Sequence, residues 1–392
     1  MVKNACTQLK ELILQNRHHP SICFWGVQNE IAMMGEHLAM YRHVRELSSL
    51  AKTLDNTRLT AAANLYSVRN GSQLNRLTDA VGYNIYFGWY YGELTDYSEF
   101  FERFHADNPD VALGVTEYGV DCNTRYHTDT PECKDYTEEF QCLYHEKAYA
   151  AMQADARLWG TFVWNLFDFS SAIRDEGGVK ARNCKGLVTW DRAIKKDAYY
   201  YYKACWSKRP FVYLAGRRYA KRCGETTVVK IYSNQPSVAL YVNGRLFAEQ
   251  SGRTVFTFAA VPLTETTSLE ARAGNCRDTI LLYRTALPEP DYVCPRRGAG
   301  NRVTNWFKQQ RAEVELFPKG RYSVTDKIGE LLADPRTAAI LQEELPAIIE
   351  NPRARTMGGM TLMRVLDYNA DAITEEQVLA VNAKLNTVPK PE

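Results

Sequence analysis

Two rhythms alternate through the first two hundred residues. Helical spacing comes first. Leu9, Leu12 and Ile13 share one face of residues 1–19, Lys3, Lys10 and Glu11 lie elsewhere, and Pro20 ends the run. A short apolar stretch, Ile22-Cys23-Phe24-Trp25-Gly26-Val27, fits a strand buried on both faces, and it gives out in the polar Gln28-Asn29-Glu30. The pair of rhythms then recurs. Helices are expected over 36–55, 96–106, 135–156 and 197–206; strands are expected over 59–64, 79–87, 111–120 and 158–169. The strand at 79–87 runs into a loop of Gly88-Trp89-Tyr90-Tyr91-Gly92, and the strand at 111–120 contains Glu117.

Five strands separated by helices predict an α/β fold of parallel βα units. Polar residues recur where strands run out, which is the end of a (β/α)8 barrel that carries chemistry. A doubly wound sheet is the alternative, but no Gly-rich phosphate loop follows any strand. Five strands cannot close an eight-stranded barrel. The expectation is therefore five βα units of a TIM barrel over 1–206, with three strands upstream in a longer parent, or else a different sheet. The texture changes after Trp206. Bursts such as Val238-Ala239-Leu240-Tyr241-Val242, followed by an Asn243-Gly244 turn pair, predict an Ig-like β-sandwich over 207–287. Pro288, Pro290, Pro295, Gly298 and Gly300 mark a linker over 288–322, in which Arg296-Arg297 reads as solvated charge. Helical spacing returns over 323–392 as a small helical domain, with Thr374 and Gln377 as a capping box for its last helix.

Composition narrows the function. Lys plus Arg is 48 and Asp plus Glu is 46, so a net charge of +2 gives no electrostatic case for nucleic acid or an anionic membrane. No window approaches the ~18 apolar residues of a bilayer helix. The first residues lack the pattern of a signal peptide, and none of the ten cysteines has C-x-x-C spacing. The expectation is a cytoplasmic protein with reduced thiols. His18-His19 and His37/His43 lack partners at metal-ligand spacing, so no metal is expected. The 24 Tyr and 7 Trp suit sugar rings, although filling a core is their commoner use.

Two carboxylates stand out at strand ends, Glu30 behind Asn29, and Glu117 in Val115-Thr116-Glu117-Tyr118-Gly119. A carboxylate beside an apolar strand is costly unless it is paired or functional. Two of them on non-adjacent strands of one barrel have a specific use: one donates a proton, and the other attacks an anomeric carbon. Their environments must differ so that their pKa values separate.

Four segments carry a family likeness. His19-Pro20-Ser21-Ile22-Cys23-Phe24-Trp25-Gly26-Val27-Gln28-Asn29-Glu30 resembles the acid/base strand of glycoside hydrolase family 2, the β-galactosidases and β-glucuronidases. Thr116-Glu117-Tyr118-Gly119-Val120-Asp121 resembles its nucleophile strand, Tyr83 to Tyr90 the strand between, and Phe162 to Phe169 the last barrel strand. The likeness implies an exo-acting retaining β-glycosidase that needs no cofactor. Glu30 would be the general acid and then base, and Glu117 the nucleophile. Asn29 would hold the sugar 2-hydroxyl and Tyr86 would touch the nucleophile. Asn84, Tyr90 and Trp164 would belong to the sugar site. The partner implied is a β-glycoside, with a homo-oligomer as a family expectation.

Specificity turns on Arg182-Asn183-Cys184-Lys185-Gly186. In β-glucuronidases an Asn-x-Lys-Gly element grips the sugar carboxylate, and Asn183 and Lys185 match it. The arginine those enzymes carry shortly before falls on Val179, with Arg174 and Arg182 nearby. The stretch from Gly186 to Tyr200, and an Ig-like domain after the barrel, look more like bacterial β-galactosidases. The balance leans to the β-galactosidase type, with β-glucuronidase as the alternative. A second class of reading also stands: an open barrel acting as a non-catalytic binding or assembly module.

Overall fold

The computed structural model describes residues 2–295, 316–350, 357–367 and 375–391. The middle of the expected linker, with Arg296 and Arg297, and the expected cap Thr374 lie outside the described residues.

Residues 2–206 form the βα units the spacing predicts. In chain order they are α1 (Val2–Asn16), β1 (Phe24–Asn29), α2 (Leu38–Leu54), β2 (Leu59–Leu65), β3 (Ala80–Asn84), α3 (Asp96–Asp107), β4 (Ala112–Tyr118), α4 (Glu138–Ala154) and β5 (Thr161–Val163). The hairpin β6 (Phe169–Glu176) and β7 (Val179–Asn183) follows, then α5 (Asp197–Trp206). Strands β1 to β5 pair in sequence order, and every pairing is parallel. The order leaves β1 and β5 as the two edges of an open, five-stranded sheet.

Helices pack on the outside through the apolar faces read from the sequence: Leu38, Tyr41, Val44, Leu47 and Ala51 of α2, and Tyr97, Phe100, Phe101 and Phe104 of α3, are all buried. Polar residues inside the sheet are satisfied in a chain that crosses three strands. Gln28 donates to Asn64 at 2.8 Å, Asn64 to Asn75 at 2.9 Å, and the Tyr83 hydroxyl to Asn75 at 2.9 Å.

The strand expected over 158–169 is corrected to Thr161–Val163. Asn165 turns the chain, its Oδ1 accepting the Phe167 N–H at 2.9 Å, so the ladder cannot continue. Phe169 belongs instead to an antiparallel hairpin, in a segment to which the sequence reading assigns no element.

Beyond α5, eight strands between Val212 and Thr285 form a three-stranded and a five-stranded sheet enclosing their own apolar core. This β region is fastened to the barrel by charge: Arg218 donates to buried Glu138 at 2.7 Å through Nε, and Lys230 to Glu146 at 2.8 Å. Short helices follow from Ile328 to Leu385, and Phe317 meets Tyr41 of α2 edge-on at 5.0 Å.

Candidate active site

A cavity of about 230 Å³ opens at the C-terminal ends of the strands. Asn29, Glu30, Tyr86, Tyr90, Glu117, Trp164, Asn183 and Lys185 all line it. These are the residues expected from the sequence, with the exception of Asn84. Phe169, Ser171 and Arg174 of the hairpin complete the wall.

Parallel pairing assembles the acidic floor. β3 lies between β2 and β4, and Asn84 is in register with Glu117. Glu30 follows β1 with its backbone N–H on Ala63 O of β2 at 2.9 Å. Its φ of 53° and ψ of 28° are left-handed, a conformation that costs a non-glycine residue ~1–2 kcal/mol. A strained backbone of this kind re-aims a side chain at the strand end.

Asn84 is 1% exposed and sits beneath the cavity rather than in its wall. Its Nδ2 donates to Glu30 Oε1 at 2.8 Å and to Asn29 Oδ1 at 3.1 Å, while its Oδ1 accepts from Thr116 Oγ1 at 2.7 Å. Asn84, expected in the sugar site, therefore lies one layer below the cavity wall. It is a positioning residue, because its amide is consumed in aiming Glu30 and Asn29.

The Tyr86 hydroxyl donates to Glu117 Oε2 at 2.6 Å. The Tyr/Trp-rich loop supplies this geometry: it folds back so that Tyr86 N–H reaches Tyr91 Oη at 2.9 Å, and Tyr86 and Tyr90 meet edge to face at 5.2 Å. Burial raises both acids. It raises Glu30, with the Asn84 bond opposing, and it pushes Glu117 up to about 7, with the Tyr86 bond opposing and the Glu30 charge adding. Two half-buried carboxyls facing one cavity titrate as a pair. Each accepts a donor that favours its charged form, Glu117 from the Tyr86 phenol and Glu30 from the Asn84 amide. Trp164 joins the wall through its N–H on Tyr118 O at 2.8 Å. Gly119 allows this approach, since a Cβ there would stand 2.2 Å from the Trp164 carbonyl oxygen.

The opposite wall is cationic. Lys185 is 1% exposed, and its ammonium donates to Asp121 and to Tyr90 Oη at 2.7 Å. Asn183 Oδ1 accepts the Lys185 backbone N–H at 3.0 Å, which leaves the Asn183 Nδ2 without a partner among the described residues. Burial alone would lift the Asp121 carboxyl, but Lys185 and Arg174 beside it hold it below its usual range. Burial likewise opposes the Lys185 charge, and Asp121 outweighs it, so the ammonium titrates above its ordinary value.

Arg174, named above only as a nearby arginine, lies in the wall; Arg182 does not, and its guanidinium lies over the Trp190 ring at 5.5 Å. Asp121 and Glu176 are functional candidates that the sequence reading missed. The hairpin's signal was present in Gly177-Gly178, whose φ values of 60° and 74° make the two-residue turn. Among the described residues no group of three or more His, Cys, Asp or Glu is placed to hold a metal.

The family model for "Glycosyl hydrolases family 2, TIM barrel domain" matches residues 1–209. A β-glucuronidase of Bacteroides fragilis is 38% identical over 261 residues, 65% of this chain and 37% of that protein. Among solved structures, an FMN-binding β-glucuronidase from Faecalibacterium prausnitzii L2-6 superposes with a TM-score of 0.74 at 44% identity, covering 75% of this chain and 46% of the other. A putative β-galactosidase from Bacteroides fragilis gives 0.68 at 35% identity, covering 73% and 44%. The chain thus spans less than half the length of each of these relatives. With the match running from the first helix through the last barrel strand, and both strand-end glutamates in one cavity, the chain belongs to glycoside hydrolase family 2.

Proposed function

We propose that the site hydrolyses terminal β-glucuronides by retaining double displacement. Glu117 attacks the anomeric carbon while Glu30 protonates the leaving oxygen; a water activated by Glu30 then releases the sugar from Glu117. Tyr86 steadies the charged nucleophile. Asn29, aimed by Asn84, meets the 2-hydroxyl, and Trp164 offers an apolar platform beside Tyr90.

The observation that carries glucuronide over galactoside is the buried Lys185 ammonium in the cavity wall. It has three donors and two side-chain partners among the described residues, which leaves one N–H for a ligand. A C6 carboxylate satisfies it with a charge-assisted bond, whereas a neutral hydroxymethyl group makes a weaker one. The names of the two most identical relatives above support the same choice over the β-galactosidase expectation. We read the two sheets after the barrel as an Ig-type sandwich and the later helices as a packing unit, each able to stand outside the chemistry.

The test is side-by-side turnover of aryl β-D-glucuronide and aryl β-D-galactoside. Glucuronide should win, and Lys185→Ala should erase about a hundredfold of that preference. Glu117→Gln should abolish turnover of both. A galactoside preference, or a Lys185→Ala variant with unchanged preference, overturns the specificity. One observation favours a second reading: among the described residues no further strand pairs with the outer sides of β1 and β5. A wild-type chain that binds sugar and cleaves neither substrate would identify a binding module.

A further inference from the structure

The hairpin β6–β7 brings a second cation to the wall, and brings that cation's anion with it. Arg174 is 9% exposed. Its Nη2 donates to Tyr90 Oη at 3.0 Å, the same oxygen that takes Lys185 at 2.7 Å. Its Nη1 reaches Glu176 at 3.0 Å and Asp121 at 3.5 Å, and Asp121 also holds Lys185. Two cations thus share two acceptors in one corner of the cavity. A guanidinium has five N–H donors, and those three bonds do not exhaust them.

The two anions differ in how firmly they are held. Asp121 is buried on all sides, accepting from Lys185, from Arg174 and from the Cys184 backbone N–H at 3.0 Å. Glu176 has one hydrogen-bond partner among the described residues, Arg174, and its side chain is 14% exposed. It is also the last residue before the Gly177-Gly178 turn, at the tip of a two-stranded hairpin. With both anions in place, two positive and two negative charges balance. An anionic sugar entering that corner adds a charge the pocket cannot balance unless one resident anion leaves.

We propose that the Arg174–Glu176 ion pair is exchangeable: the substrate's C6 carboxylate takes the place of Glu176 on Arg174, beside Lys185, while Asp121 stays. This rests on the glucuronide reading above. Glu176 is then a built-in competitor. It keeps the guanidinium paired in the empty site and lets it go only to another carboxylate, so a neutral sugar does not release it. Swapping one carboxylate for another leaves the fork geometry of the arginine intact.

The experiment is calorimetric binding of D-glucuronate and of D-glucose, which differ at C6 alone, to the chain and its variants. Wild type should prefer glucuronate. Arg174→Gln should cut the glucuronate-to-glucose affinity ratio about tenfold or more, with Arg174→Lys retaining part of it. Glu176→Gln should change it in the opposite direction, tightening glucuronate about threefold. Were Arg174 and Glu176 only a brace for the hairpin, both substitutions would weaken both sugars together and leave the ratio alone, and the inference would fall with glucuronide specificity intact. A Glu176→Gln variant that binds glucuronate more weakly also overturns it. A wild-type chain with no preference, binding neither sugar included, removes the glucuronide reading itself and this inference with it.

Discussion

Lys185 and Lys196 stand eleven residues apart, and both are fully buried. The Lys196 ammonium is saturated. It donates to the Cys122 carbonyl, the Cys184 carbonyl and Asp168, each at 2.9 Å, and so ties the segment after β4 to the segment after β7. Lys185 has two such partners and faces the cavity. Burying an ammonium costs several kcal/mol that only pairing and full hydrogen bonding repay. A buried lysine with every donor used is part of the frame. One with a donor to spare, at a cavity wall, is available to a ligand. The difference lies in the count of acceptors, not in burial or charge, which the two share.

That comparison can be broken. Lys196→Met strands Asp168 in the interior with the Gly186 N–H at 2.9 Å as its remaining carboxylate partner among the described residues. It should cost about 3–5 kcal/mol of unfolding free energy, read from urea melts at neutral pH. Lys185→Met should cost less, about 1–2 kcal/mol in the same melts, because Arg174 remains beside Asp121. Equal losses, or a larger one at Lys185, would mean that both lysines are frame. The smallest effect concerns the acid on the other wall. The Glu117 carboxyl rises from its ordinary 4.5 to about 7 on folding. Between those pH values this carboxyl holds more protons in the native chain than in the unfolded one, so its contribution to stability should fall as pH rises from about 4.5 to about 7 and then level off. Glu117→Gln should remove that contribution, making the slope shallower than in the wild type, and lift the melting temperature by a few degrees above pH 7. A slope unchanged in the variant would place the titration elsewhere.

Much of the site was readable because its chemistry is local to strand ends. Glu30 and Glu117 each follow an apolar run, and parallel pairing of such runs brings their ends to one face. Tyr86 and Tyr90 come with the loop that follows a strand. The carboxylate corner was harder. The 169–183 segment does not alternate cleanly, since its register slips between Ser170 and Asp175, and a period-2 pattern cannot be seen through a bulge. Asn84 was readable as part of the site but not in its role. Whether an amide faces sugar or another side chain depends on what stands across the sheet, and here Thr116 and Glu30 use it up.

By itself the sequence determined the alternation of helices and strands up to β4, the two glutamates and the family motifs, because each is written in a few consecutive residues whose spacing fixes a face or an end. Only the tertiary structure decided which buried lysine keeps a donor for a ligand, that a hairpin carries Arg174 and Glu176 into the cavity, and that Asn84 works beneath it. Those properties depend on how many acceptors converge on one atom from segments far apart in the chain, and no local pattern records that count.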